Sequence, residues 1–92
     1  MTDIAVHGLV TGRVQGVFYR ASLAEEAQRL NLTGYVKNLA DGRVEYVVTG
    51  DEKVVDELVA WSRRGPLLAK ITDLAISEYK GGEGFANFQI RY

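Results

Sequence analysis

Cysteine is absent from this chain of 92 residues, and histidine, proline, methionine and tryptophan occur once each. The missing cysteine removes disulfides, thiolate metal sites and a cysteine nucleophile together. With a single histidine there is no pair or triad of metal ligands at a recognised spacing. Charge of one sign is lacking too: 11 Lys and Arg face 12 Asp and Glu, a net of -1. No whole-domain field exists to draw in nucleic acid or a membrane surface, so any anion site must be local. No run of about 18 apolar residues is present to cross a bilayer as a helix. The opening Met-Thr-Asp lacks the basic and long apolar regions of a secretory signal. These absences lead to the expectation of a cytoplasmic protein with neither a nucleic-acid nor a membrane partner.

What is present is an ordinary globular composition, 47% hydrophobic and 25% charged. At this length one domain over residues 1–92 is expected, burying roughly 60–65% of its unfolded surface. Ile4, Val6 and Val10 alternate with Ala5, His7 and Leu9, which predicts a strand over residues 4–13. Leu23, Ala24, Ala27 and Leu30 recur at helical spacing between Tyr19 and Asn31, with Glu25, Glu26, Gln28 and Arg29 on the other side. Thr33–Leu39 and Arg43–Thr49 are two strands, and Asp41-Gly42 between them is a hairpin signal. A second helix starts after Gly50 with Asp51 as its cap and an apolar face of Val54, Val55, Leu58, Val59 and Trp61. Arg63 and Arg64 close it, with Gly65 and Pro66 ending it. Ala69–Tyr79 and Phe85–Tyr92 are the last strands. Ile71 and Leu74 are three apart, so a bulge is expected to disturb the phase of the first of these.

The order strand, helix, strand, strand, helix, strand, with one more short strand, predicts an α+β fold. It is a ferredoxin-like split βαβ sandwich, an antiparallel sheet with two helices packed on one face. Ile4, Val6, Val44, Tyr46, Val48, Phe88 and Ile90 are expected to point toward the helices.

The chemistry narrows to one stretch. Gly12 to Arg20, Gly-Arg-Val-Gln-Gly-Val-Phe-Tyr-Arg, leads from the first strand into a helix N-terminus. Free backbone N–H groups and the helix dipole together favour an anion there. Arg20 stands in the first helical turn, where the dipole disfavours a cation by roughly 0.3–1 kcal/mol, so something negative is expected beside it. Its planar fork matches a phosphate or carboxylate oxygen pair. A tight turn that needs glycine for its backbone gives the same pattern. Asn38, at the end of the second strand, is a second candidate, though asparagine there also serves as a turn residue. Elsewhere the residues have plain roles. His7 is structural or solvent-facing, with no partner implied by its position. Ser22 has no base beside it, Glu25-Glu26 and Asp56-Glu57 are solvated, and Trp61 packs at a helix edge.

Val10-Thr11-Gly12-Arg13-Val14-Gln15-Gly16-Val17-Phe18-Tyr19-Arg20 resembles the first signature of the acylphosphatases. Gly34-Tyr35-Val36-Lys37-Asn38, followed by Gly42, Val44 and Gly50, resembles the second. Gly65-Pro66-Leu67-Leu68-Ala69 and Phe88-Gln89-Ile90 also fit, so the likeness runs over essentially the whole chain. Tyr19 departs from the pattern, since phenylalanine or methionine is usual before the arginine. The resemblance implies a small cytosolic enzyme that hydrolyses the carboxyl–phosphate bond of acyl phosphates without metal or cofactor. It also implies that the backbone N–H groups of Gln15, Gly16, Val17, Phe18, Tyr19 and Arg20, with the Arg20 guanidinium, hold the phosphate. Asn38 would then orient the attacking water. A monomer is the expectation, with a small-molecule acyl phosphate as its substrate partner. The alternative is a non-catalytic phosphate- or anion-binding regulatory module of the same fold. An RNA-binding domain of that topology would want exposed aromatics and a basic open face, and strands one and three offer His7, Arg13, Glu45 and Thr49 there instead.

Overall fold

A computed structural model describes residues 2–92 of the chain. Seven elements follow one another: β1 (Asp3–Arg13), α1 (Tyr19–Arg29), β2 (Thr33–Asn38), β3 (Val44–Asp51), α2 (Glu52–Arg64), β4 (Lys70–Glu78) and β5 (Phe88–Arg91). The sheet order is β4-β1-β3-β2-β5. The pairs β1–β3, β1–β4 and β2–β3 are antiparallel, as the split βαβ arrangement requires. The outermost pair, β2–β5, is parallel. The sheet is therefore mixed rather than wholly antiparallel, because the final strand is an addition beside β2 and not another hairpin partner.

The alternation pattern sorts residues onto the two faces as expected. Val44, Tyr46, Val48 and Phe88 are buried under the helices, with Ile4, Val6 and Ile90 packed against the same core. From the helices come Tyr19, Leu23, Ala24 and Ala27 of α1 and Val55 and Leu58 of α2. Each fully buried Val or Leu contributes roughly 1.5–3 kcal/mol by leaving water. Asp51 caps α2 by accepting from the Lys53 N–H at 3.2 Å. The first helix ends two residues before Asn31, which takes a left-handed conformation (φ 58°) while Leu32 N–H reaches back to the Ala27 carbonyl at 2.9 Å.

The bulge falls on β4. Thr11 pairs with Asp73 and Gly12 with Ile71, so Thr72 is the extra residue, and the three-residue spacing of Ile71 and Leu74 is its signature. Gly12 makes this possible, since its φ is 132° and a Cβ there would run into the Lys70 carbonyl.

The open face carries a polar layer that the sequence pattern hides. His7 is not unpartnered: its Nε2 lies 2.9 Å from Glu45 Oε2, a diagonal pair across β1 and β3. Tyr35 donates to the other Glu45 oxygen at 3.1 Å, and the Arg91 guanidinium lies 4.2 Å from the Tyr35 ring centre. Arg91 also donates to Glu83 at 2.7 Å. Burial opposes ionisation of Glu45, but hydrogen bonds from His7 and Tyr35 and the nearby charges of His7 and Lys37 outweigh it, so its pKa is lowered. Burial chiefly, then the Glu45 carboxylate, pushes Tyr35 up to about 12.

Candidate active site

The segment between β1 and α1 is built to leave its N–H groups free. Gly16 (φ 76°) and Phe18 (φ 63°, ψ 26°) both adopt left-handed backbone, and Phe18 is the N-cap of α1 with no side-chain cap. At Gly16 such geometry is unstrained. At Phe18 it costs on the order of 1–3 kcal/mol. Alternating backbone handedness of this kind turns successive N–H groups toward one concavity. Among the described residues, none of the backbone N–H groups of Gln15 through Arg20 donates to a protein acceptor. The stretch between Gly12 and Arg20 therefore leaves a row of N–H groups without protein acceptors at the positive end of a helix dipole.

A pocket of about 280 Å³ opens over this cradle. Its lining brings together Gln15, Gly16, Phe18, Tyr19, Arg20 and Asn38, which the sequence names, with Ile90 and Tyr92, which it does not. Val17 does not line it and is buried in the core. Arg20 is the single charged side chain among the described residues that line the pocket. Its Nη1 donates to the Arg91 carbonyl at 3.2 Å, and its guanidinium lies 4.8 Å from the Tyr92 ring centre. These contacts hold the fork in place and leave donors for an anion.

Asn38 reaches the pocket from the last position of β2. Its side-chain oxygen is buried and has no hydrogen-bond partner among the described residues. Such an acceptor costs roughly 1–3 kcal/mol, and a bound water relieves it.

Gln15 contributes more than its backbone. Its side-chain amide donates to the Leu39 carbonyl at 2.8 Å and to the Arg43 carbonyl at 3.0 Å. Both carbonyls belong to the hairpin that follows Asn38, where Leu39 N–H bonds Arg43 O at 2.8 Å. The glutamine therefore fixes the cradle against the segment carrying Asn38. Spacing alone could not reveal this, because the partners are 24 and 28 residues away.

Tyr19 is the residue that departs from the family pattern, and its ring points into the core at 1% exposure. Its hydroxyl donates to the Ser62 carbonyl at 2.8 Å, while the Ser62 hydroxyl pairs with the Tyr46 hydroxyl at 2.8 Å and donates to the Val59 carbonyl at 2.7 Å. The extra oxygen thus serves an interior network and not the pocket. Burial pushes Tyr46 up to about 12 and Tyr19 upward likewise.

Among the described residues no group of three or more His, Asp or Glu side chains is placed to hold a metal ion, and no helix is long and apolar enough to cross a membrane.

Comparison with known proteins gives concordant matches over nearly the whole chain. The acylphosphatase family model matches residues 6–90. An acylphosphatase of Methylococcus capsulatus is 55% identical over 85 residues, covering 92% of each chain. The crystal structure of an acylphosphatase from Bacillus subtilis superposes with a TM-score of 0.91 at 37% identity, covering 97% of this chain and 99% of that one. An acylphosphatase from Coxiella burnetii gives the same TM-score and identity, covering 97% and 93%.

Proposed function

The chain belongs to the acylphosphatase family, and we propose that its 15–20 loop, Arg20 and Asn38 carry out the family's reaction, hydrolysis of the carboxyl–phosphate bond of an acyl phosphate. The backbone N–H groups of Gln15 to Arg20 and the Arg20 guanidinium hold the phosphoryl oxygens. Asn38 holds a water in line with the scissile bond. The observation that carries the reading is the unpaired Asn38 oxygen in a pocket whose only charged side chain is Arg20, above a row of free N–H groups.

The chemistry asks little more of the protein. An acyl phosphate is a mixed anhydride whose leaving group is a carboxylate of low pKa, so it departs without a strong general acid. Phosphoryl transfer needs positioning and stabilisation of charge on the equatorial oxygens. Arg20 and the N–H donors provide the second, and a single donor of this kind is worth about 10²–10³ in rate. Asn38 provides the first by fixing the water. The water oxygen bonds to phosphorus as the P–O bond to the acyl group breaks, and its proton passes to a non-bridging phosphoryl oxygen. Carboxylate and inorganic phosphate leave. The reading requires neither metal nor cofactor, and it describes one cytoplasmic domain over residues 1–92 that acts as a monomer.

The test is hydrolysis of benzoyl phosphate by the purified protein in EDTA, with Asn38→Ala alongside. We expect rapid turnover in the wild type and a loss of about 10²–10³ in kcat in the variant, with competitive inhibition by inorganic phosphate retained. Phosphate binding without turnover by the wild type would instead favour the regulatory anion-binding module.

A further inference from the structure

Two aromatic side chains stand strongly exposed among the described residues, Phe18 at 77% and Tyr92 at 91%, and both line the pocket that holds Arg20 and Asn38. The phosphate cradle does not account for Phe18, and Tyr92, which flanks Arg20, still keeps most of its ring in water. The cradle needs left-handed backbone at residue 18, which glycine supplies without strain, and it uses only the N–H there. A phenylalanine at that point is conformationally disfavoured and adds nothing to the core. Tyr92 is likewise outside the core, yet its ring is held beside the Arg20 guanidinium at 4.8 Å. Large apolar side chains left in water next to a ligand site mark a surface that a ligand covers.

The reaction decides which part of the ligand that is. In-line attack by the water at Asn38 places the leaving carboxylate on the opposite side of phosphorus. The acyl group therefore lies outside the N–H cradle, against the remaining lining of the pocket. That lining is apolar: Phe18 and Tyr92, with Ile90 and Val14 beside them. Among the described residues it offers no cationic side chain other than Arg20, which the phosphate occupies, and no side-chain carboxylate. An anionic acyl group would find no partner there, and an acetyl group is too small to cover two rings. A flat apolar acyl group would stack on them.

We propose that Phe18 and Tyr92 form the acyl subsite, and that they make the enzyme select acyl phosphates with aromatic acyl groups over small ones. This rests on the phosphate lying in the 15–20 cradle as proposed above.

The test compares kcat/KM for benzoyl phosphate and acetyl phosphate in the wild type, Phe18→Gly, Phe18→Leu and Tyr92→Ala. Taking the ratio cancels any general damage to the cradle, and glycine keeps the backbone geometry of residue 18. The benzoyl-to-acetyl ratio is expected to fall about five- to tenfold in Phe18→Gly. Phe18→Leu, which keeps apolar bulk without the ring, falls in between, and Tyr92→Ala also lowers the ratio. A ratio within twofold of wild type in Phe18→Gly, including equal loss on both substrates, overturns the proposal; the same result in Tyr92→Ala removes that ring from the subsite. Inhibition by inorganic phosphate separates the two levels of inference. If it persists in Arg20→Ala, the placement of the phosphate fails and the subsite with it. If it is lost there while the ratio stays unchanged in Phe18→Gly, the subsite alone fails.

Discussion

Replacing Tyr19 with phenylalanine restores the residue usual in the family and removes a single oxygen, and it should destabilise this protein. The reason lies 43 residues away, where the Tyr19 hydroxyl donates to the Ser62 carbonyl at 2.8 Å. Ser62 is in the last turn of α2, where a carbonyl ordinarily bonds the N–H four residues on. That residue is Pro66, which has no N–H. The nearest alternative, Gly65 N–H, is already committed to the Trp61 carbonyl at 2.8 Å. Ser62 is fully buried, so water cannot take over. Tyr19→Phe therefore strands an acceptor in the core at a cost of about 1–3 kcal/mol. With an m-value near 1.5 kcal/mol/M for a domain of this size, the urea midpoint should drop by roughly 0.7–2 M. The melting temperature should fall by about 4–8 °C for each kcal/mol. Equilibrium urea unfolding followed by tryptophan fluorescence suits the measurement, because Trp61 packs on the Tyr19 ring at 5.9 Å between centroids. A midpoint shift worth less than about 0.3 kcal/mol at equal m would refute the argument that this hydroxyl caps the helix.

Three further outcomes follow from the site and the open face. Arg20→Ala should lose inhibition by inorganic phosphate together with turnover, and Arg20→Lys should recover little of either, because a lysine cannot present a planar fork; recovery of full activity by lysine in the benzoyl phosphate assay would show that charge alone suffices. Gln15→Leu breaks both bonds to the hairpin that follows Asn38, so it should lower kcat about tenfold or more, since small misplacements at a reacting centre are amplified in rate; a kcat equal to wild type would show that the clamp does not position the site. Glu45 has a lowered pKa in the folded state, so its contribution to stability is complete above the unfolded value of about 4.3 and disappears as pH falls through the folded one. Urea midpoints of wild type and Glu45→Gln should accordingly differ at pH 7 and converge between about pH 5 and pH 3, and a constant gap across that range would contradict the sign.

Local rules carry far in this chain wherever the determining residues are neighbours in sequence. Alternation places the strands, Asp41-Gly42 places the hairpin, and Asp51 with Gly65-Pro66 places the ends of α2. The cradle is visible for the same reason, since strand, glycine and helix start lie within nine residues. What stays hidden depends on register. His7 meets Glu45 only because His7 sits opposite Val47 and Leu9 opposite Glu45. Ile90 and Tyr92 reach the pocket because β5 runs parallel to β2, with Val36 opposite Ile90.

The departure at Tyr19 shows how the two kinds of information combine. Read within the signature, it is a variation at a site position and bears on substrate preference. Read with Ser62, Tyr46 and Pro66, it answers a need created at the far end of α2. The proline that stops the helix also removes the donor its last buried carbonyl would use, and the tyrosine hydroxyl replaces that donor. Tyr19 opens the helix whose N-terminus carries the N–H groups proposed to hold the phosphate, so the same contact anchors that helix start to the core. The oxygen that looks like a change in the proposed active site is a tie between the two helices, placed one residue before the arginine proposed to hold the phosphate.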